Sequence, residues 1–185
     1  KIGFIGCGHM AKALIGGLKS NKSYELLGHD RNSKNIAWLK QEKIPFYSLK
    51  EVCHEADIVM ICVKPKDMYG LCSEMKTYIG KELKIVSVAA GITLENLKDA
   101  LSGGKVYRAM PNIGAKHNLG ITSIFSYEEL NEILDIFNYL GKAIVVEDED
   151  KINLHTSLIG SAPAFYFEII NAVSYTHLTL PTTLP

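Results

Sequence analysis

The chain has no excess charge of either sign. Its 185 residues carry 20 Lys and Arg against 20 Asp and Glu. That balance speaks against attraction to nucleic acid or to a membrane surface by charge, although an anionic cofactor needs only local donors. Paired cysteines are also missing. Cys7, Cys53, Cys62 and Cys72 contain no C-x-x-C and fall in apparent core elements, as reduced buried thiols do. The six histidines show no metal-ligand spacing, and no apolar run approaches the ~20 residues of a membrane span. The first residues are apolar, but no cleavage pattern follows them. The acidic stretch Glu147-Asp-Glu-Asp150 has no glycine loop to converge its carboxylates on a cation; it reads as a solvated hinge and a helix start. These absences lead us to expect a soluble, cytoplasmic protein with no metal, nucleic-acid or membrane partner. At 47% hydrophobic and 22% charged residues, the chain can bury a full core.

What is present begins at once. Ile2 to Ile5 reads as a strand, and Gly6-Cys-Gly8-His-Met-Ala11 fits the G-x-G-x-x-G/A turn that binds dinucleotides. Gly6 permits the tight turn off the strand. Gly8 lets a pyrophosphate approach the backbone, and Ala11 lets helix and strand pack closely. Met10, Ala13, Leu14, Gly17 and Leu18 carry a helical period, so free N–H groups at the helix start face the phosphates.

Strands and helices then alternate. Tyr24 to His29 reads as a strand ending at Asp30-Arg31-Asn32-Ser33, where such a fold meets the adenosine ribose. An acid here suits a free 2′-hydroxyl and an arginine a 2′-phosphate, and Asp30 and Arg31 stand side by side. A polar turn capping a helix from Ser33 to Gln41 would use the same residues. The cationic Arg31, Ser33, Lys34 group tilts the expectation toward NADPH over NADH. A short strand (44–47), a helix (49–55) and a strongly apolar strand, Asp57 to Val63, come next; the last should be central in a parallel sheet. It ends at Lys64-Pro65, placed to touch a cofactor beyond the strand's carboxyl end. A helix over 67–79 leads to a strand over 84–88 that ends in the small Ala89-Ala90-Gly91, leaving room for a flat ring. Thr93 can cap a helix reaching Leu101. Val106 to Met110 runs into Pro111-Asn112, and a strand (121–126), a helix (128–140) and a strand (143–146) complete an α/β domain. Beyond residue 150 the pattern is helical only: 152–158, a break at Gly160-Ser161-Ala162-Pro163, and a helix begun over 164–173.

Taken together, Phe4-Ile-Gly-Cys-Gly-His-Met-Ala11, Ala56-Asp57 with Val63-Lys-Pro65, Ala89-Ala-Gly-Ile-Thr93, Arg108-Ala-Met-Pro-Asn112 and Gly160-Ser-Ala-Pro-Ala164 resemble the pyrroline-5-carboxylate reductases over residues 1 to about 173. The resemblance implies an α/β fold: a Rossmann-like, doubly wound, mostly parallel sheet (1–147), then the start of an all-helical dimerisation and substrate domain (148–173). It implies an NAD(P)H-dependent reduction of the C=N bond of 1-pyrroline-5-carboxylate to proline, the last step of proline biosynthesis. Ile5, Gly6, Cys7, Gly8, His9, Met10 and Ala11 would cradle the pyrophosphate. Asp30, Arg31 and Ser33 would meet the ribose. Cys62, Val63, Lys64 and Pro65, with Val88, Ala89 and Ala90, would line the cofactor, and Met110, Pro111 and Asn112 would lie by the nicotinamide. Lys64 and Asn112 are the candidates nearest the chemistry, and Gly160 to Pro163 form a substrate loop. A homodimer or higher homo-oligomer follows for the complete protein.

The sequence departs from the family pattern in three places. His9 replaces the usual amide residue, and Ile159 and Ala162 replace a serine and a glycine. Third, Ser174-Tyr-Thr-His-Leu-Thr-Leu-Pro-Thr-Thr-Leu-Pro185 shows no helical period and two prolines, and reads as a non-native tail (174–185) standing where the helical domain should continue. On that expectation the chain itself binds cofactor without turning over. Two other readings compete. One is a related Rossmann oxidoreductase acting on a hydroxy acid or using a deazaflavin; the other is a non-catalytic nucleotide-binding protein that kept the fold.

Overall fold

Four consecutive buried residues, Ile2–Ile5, form β1, and four more, Ile58–Ile61, form β3. Strands apolar on both faces must be covered on both faces, and the rest of the fold follows from that need. In the computed structural model, which describes residues 1–178, β2 (Leu26–His29), β4 (Lys84–Ser87) and β5 (Lys105–Met110) join them in parallel. Then β6 (Gly120–Phe125) runs antiparallel to β5, and β7 (Gly141–Val145) runs parallel to β6. The sheet has 7 strands in the order β2-β1-β3-β4-β5-β6-β7. The doubly wound, mostly parallel sheet read from the sequence is therefore the observed one.

Each face carries its own core. Helices α1 (His9–Leu18), α2 (Ser33–Gln41) and α6 (Asn131–Tyr139) pack Leu14, Leu39 and Phe137 against Phe4 and Met60 on one face. On the other, α3 (Leu49–Glu55), α4 (Pro65–Met75) and α5 (Leu94–Leu101) pack Val52, Met68 and Leu97 against Val59 and Ile85. Their starts are locally encoded. Ser48 and Glu51 form a reciprocal capping box on α3, Pro65 opens α4, and the Thr93 hydroxyl accepts from the Asn96 N–H at α5. Gly6 sits at φ +85°, and a Cβ there would come within 2.8 Å of the Val63 side chain. Strand β1 can turn toward α1 only with glycine at that point.

Three expectations need correction. The strand over 44–47 is a single bridge between Gly28 and Phe46; Pro45 has no N–H to extend a ladder. The break at Gly160 to Pro163 does not exist. α7 (Asp150–His155) passes through a π-helical turn (Thr156–Ser161) into α8 (Ala162–Leu178) without interruption. A proline inside a regular helix loses a hydrogen bond and clashes with the carbonyl four residues back; the widened turn just before Pro163 relieves both. The Thr156 hydroxyl donates to the Ile152 carbonyl (2.7 Å) and the Ser157 hydroxyl to the Leu154 carbonyl (2.7 Å), occupying acceptors along the altered stretch. Finally, residues 174–178 of the expected irregular tail are helical, as the end of α8. The remainder of that tail, 179–185, lies outside the described residues.

Candidate cofactor cleft

In a doubly wound sheet, ligands settle beyond the carboxyl ends of the strands, where the chain order reverses. Here that point lies between β1 and β3, and a cleft of about 410 Å³ opens there. Ile5, Gly6 and Gly8 line it from the first turn, Asp30 and Arg31 from the end of β2, and Cys62, Val63 and Lys64 from the end of β3. A larger cleft of about 760 Å³ holds Lys84 and Lys105 at the opposite, amino-terminal ends of β4 and β5. It has no part of the glycine turn, so we place the site at the smaller one.

The start of α1 leaves backbone donors without a side-chain partner. No side chain caps α1, so the N–H groups of its first turn have no partner from a capping residue. A Cβ built on Gly8 would meet nothing within 4 Å. Gly6 is required by the protein's own packing; Gly8 instead leaves open space beside a helix dipole. These observations fit a dinucleotide's pyrophosphate.

Asp30 is already engaged within the protein. Its carboxylate accepts from the Cys7 N–H (2.6 Å), the Asn32 N–H (2.6 Å) and the Asn35 side-chain amide (2.9 Å). About three of a carboxylate's four lone-pair positions are thus taken. Arg31 reaches across to pair with Glu74 on α4. Asn32 caps α2 through the Lys34 N–H, so the polar turn also serves as the helix cap.

The other expected residues separate into groups. Cys7 and Ala11 are fully buried behind the turn, and the Cys7 N–H is committed to Asp30, so Cys7 is not open to a ligand. His9 lies on another side of α1, in a groove with Lys12 and Trp38; Met10 is half-buried and Ser33 exposed at the start of α2. Neither Met10, Ser33 nor Pro65 lines the cleft. Val88, Ala89 and Ala90 follow β4, and Met110, Pro111 and Asn112 end β5, so both sets stand at carboxyl strand ends farther along the sheet. Lys64 is exposed, at the residue before α4. The Asn112 side-chain carbonyl accepts from the Ile121 N–H (3.2 Å), which leaves its amide nitrogen as the available donor. Gly160 to Pro163 lie in the helical arm, exposed or half-buried.

Sequence reading missed several contributors. Asn35, Lys66, Asp67 and Leu71 complete the cleft wall; the helical period of α2 and α4 was the signal that could have found them. Glu149 corrects the solvated-hinge reading of the acidic stretch. It pairs with the Arg108 guanidinium at 2.6 Å, Arg108 being 2% exposed, and the same oxygen accepts from the Leu94 N–H at 2.6 Å. The start of the helical arm is thereby tied to β5, next to Met110. Within the arm, the His155 ring meets the hydroxyl of buried Ser123 at 2.6 Å.

The thiols are inert. Burial pushes Cys7 up to about 12, with Asp30 adding to it, and Cys53 up to about 11, and it raises Cys62 and Cys72 as well. A thiol held protonated is no nucleophile at neutral pH, and no cluster of three or more His, Cys, Asp or Glu among the described residues could hold a metal ion.

Comparison with known proteins decides the family. Over 94% of its length the chain is 36% identical to the pyrroline-5-carboxylate reductase of Escherichia coli, of which it covers 68%. It belongs to the pyrroline-5-carboxylate reductase family. It is likewise 32% identical, over the same share of the chain and 68% of the relative, to the enzyme of that name from Methanosarcina acetivorans. A solved pyrroline-5-carboxylate reductase from Coxiella burnetii matches with a TM-score of 0.84 and 28% identity, across 98% of this chain and 72% of that one. Residues 1–91 match a family described as NADP oxidoreductase, coenzyme F420-dependent. The chain spans about two-thirds of the length of the curated relatives named above.

Proposed function

We propose that residues 1–147 form the dinucleotide-binding half of an NADPH-dependent enzyme that reduces the C=N bond of 1-pyrroline-5-carboxylate to proline. Residues 148–178 would then begin the helical half that completes the substrate site. The observation that carries this reading is the uncapped start of α1 facing the open space at Gly8, within a cleft that joins the ends of β1, β2 and β3. Reduced nicotinamide supplies the hydride when bound. The chain's own residues have simpler work. The first turn of α1 holds the phosphates, and Gly6 keeps the turn tight. Ala89 and Ala90 leave a flat surface at the end of β4, and the Asn112 amide donates at the end of β5. A five-membered ring imine is readily protonated, and its iminium is already electrophilic. Hydride joins the ring carbon, the C=N pair moves to nitrogen, and a secondary amine results. Catalysis is then chiefly positioning.

The helical arm supports a homo-oligomer. Phe165, Phe167, Ile169 and Ile170 on α8 are each more than half exposed, a cost a monomer has no reason to bear. Among the described residues, no helix is long and apolar enough to cross a membrane, which leaves a protein surface as the natural cover.

The test is NADPH oxidation with pyrroline-5-carboxylate, on this chain and on a chain continued with a family helical domain. We expect turnover from the continued chain alone. Turnover by the 185-residue chain would refute the need for the helical domain, and silence from both would favour a non-catalytic binding protein.

A further inference from the structure

Glu74 has no place in the reading above, yet it holds a residue that does. Arg31, on the loop after β2, pairs with Glu74 on the last turn of α4. Arg31 lines the cleft on one side, and Lys66, Asp67 and Leu71 of α4 line the other. Glu74 stands one turn beyond Leu71, so the ion pair ties the loop after β2 to α4 beside the cleft. We propose that Glu74 is a specificity-determining residue: an internal anion that competes with a ribose 2′-phosphate for Arg31 and so tempers the preference for NADPH over NADH. The proposal rests on the cofactor reading of this cleft.

Three features support it. Asp30 is largely consumed by the Cys7, Asn32 and Asn35 donors, so discrimination at the 2′ position falls to Arg31. The Arg31 and Glu74 side chains are 74% and 46% exposed. An ion pair so open to water stabilises the fold little, and an incoming phosphate can displace it. A phosphate monoester carries about −1.5 to −2 charges near neutral pH. Glu74 therefore acts against it twice, by occupying its cation and by like-charge repulsion, whereas a free 2′-hydroxyl meets neither effect. Lys64, Lys66 and Asp67 share the rim, but none of them is paired with Arg31. Glu74 is the adjustable member.

The experiment measures NADPH and NADH affinity for this chain by titration calorimetry, with Glu74→Gln, Arg31→Ala and the double variant. Glu74→Gln should tighten NADPH about three- to ten-fold and leave NADH within about two-fold; added salt should shrink the gain. Arg31→Ala should weaken NADPH, and on that background Glu74→Gln should give less than its effect alone. An unchanged NADPH-to-NADH ratio in Glu74→Gln, with both nucleotides still bound, overturns the proposal and leaves the cofactor reading standing. Binding of neither nucleotide by the parent chain, checked as folded by its thermal transition, overturns both.

Discussion

Helices α1 and α8 are both rich in apolar residues, and the protein treats them in opposite ways. In α1, Leu14, Ile15 and Leu18 are wholly buried against the sheet. In α8, Phe165 is 68% exposed and Ile170 61%. Apolar composition alone does not bury a helix; a partner surface must be there. The sheet supplies one for α1 within this chain. For α8 the described residues supply no such cover to Phe165 or Ile170. The contrast sets a helix packed on the sheet beside one whose apolar side chains face water.

The largest effects should come from the buried side of that contrast. Phe4→Ala in β1 should cost about 3–5 kcal/mol, whereas Phe165→Ala in α8 should stay within about 0.5 kcal/mol in the 185-residue chain. Chemical denaturation of both variants measures the gap; equal losses would mean that α8 is already packed. At the join between the halves, Glu149→Ala leaves the Arg108 charge buried without its partner and should cost about 3–5 kcal/mol. A loss below about 1 kcal/mol would show that the arm is not anchored there.

Smaller effects follow from the thiols. Folding holds Cys7 and Cys53 protonated up to about 12 and 11, while in the unfolded chain they ionise from their ordinary value of 9.0. The unfolded state thus binds fewer protons above that value, and stability, unaffected below it, must fall as pH rises. Thermal scans from pH 8 to pH 11 should show a decline that begins near pH 9, and replacing Cys7 and Cys53 with Ala should make it shallower, Cys62 and Cys72 carrying the rest. A decline of the same slope in that double variant would assign the effect to other groups.

Much of this was legible because the informative signals are local. The run Ile2–Ile5 followed by Gly6-x-Gly8 fixes a strand, a turn and a helix start within a dozen residues. The caps at Ser48 and Thr93 lie beside the helices they start, and each strand-end motif adjoins its own strand. What escaped was tertiary or a matter of register. Glu149 looks like any surface acid until β5 brings Arg108 to it from 41 residues away. Glu74 meets Arg31 only because α4 and the loop after β2 flank one cleft. Pro163 reads as a helix breaker, and only the π turn before it explains why the helix passes through. Residues 174–178 have no amphipathic period, yet they continue a helix already propagating from Ala162.

On the proposed reading the glycine turn is a nucleotide site whose second glycine serves the ligand and not the fold. Gly8→Val in this chain, measured for NADPH affinity and thermal stability together, tests it most directly. A Cβ there would meet no protein atom within 4 Å, and the side chain would stand at the helix start proposed to hold the phosphates. Binding should weaken about 100-fold or more, with a melting temperature within a few degrees of the parent's. Unchanged NADPH affinity in Gly8→Val would contradict it.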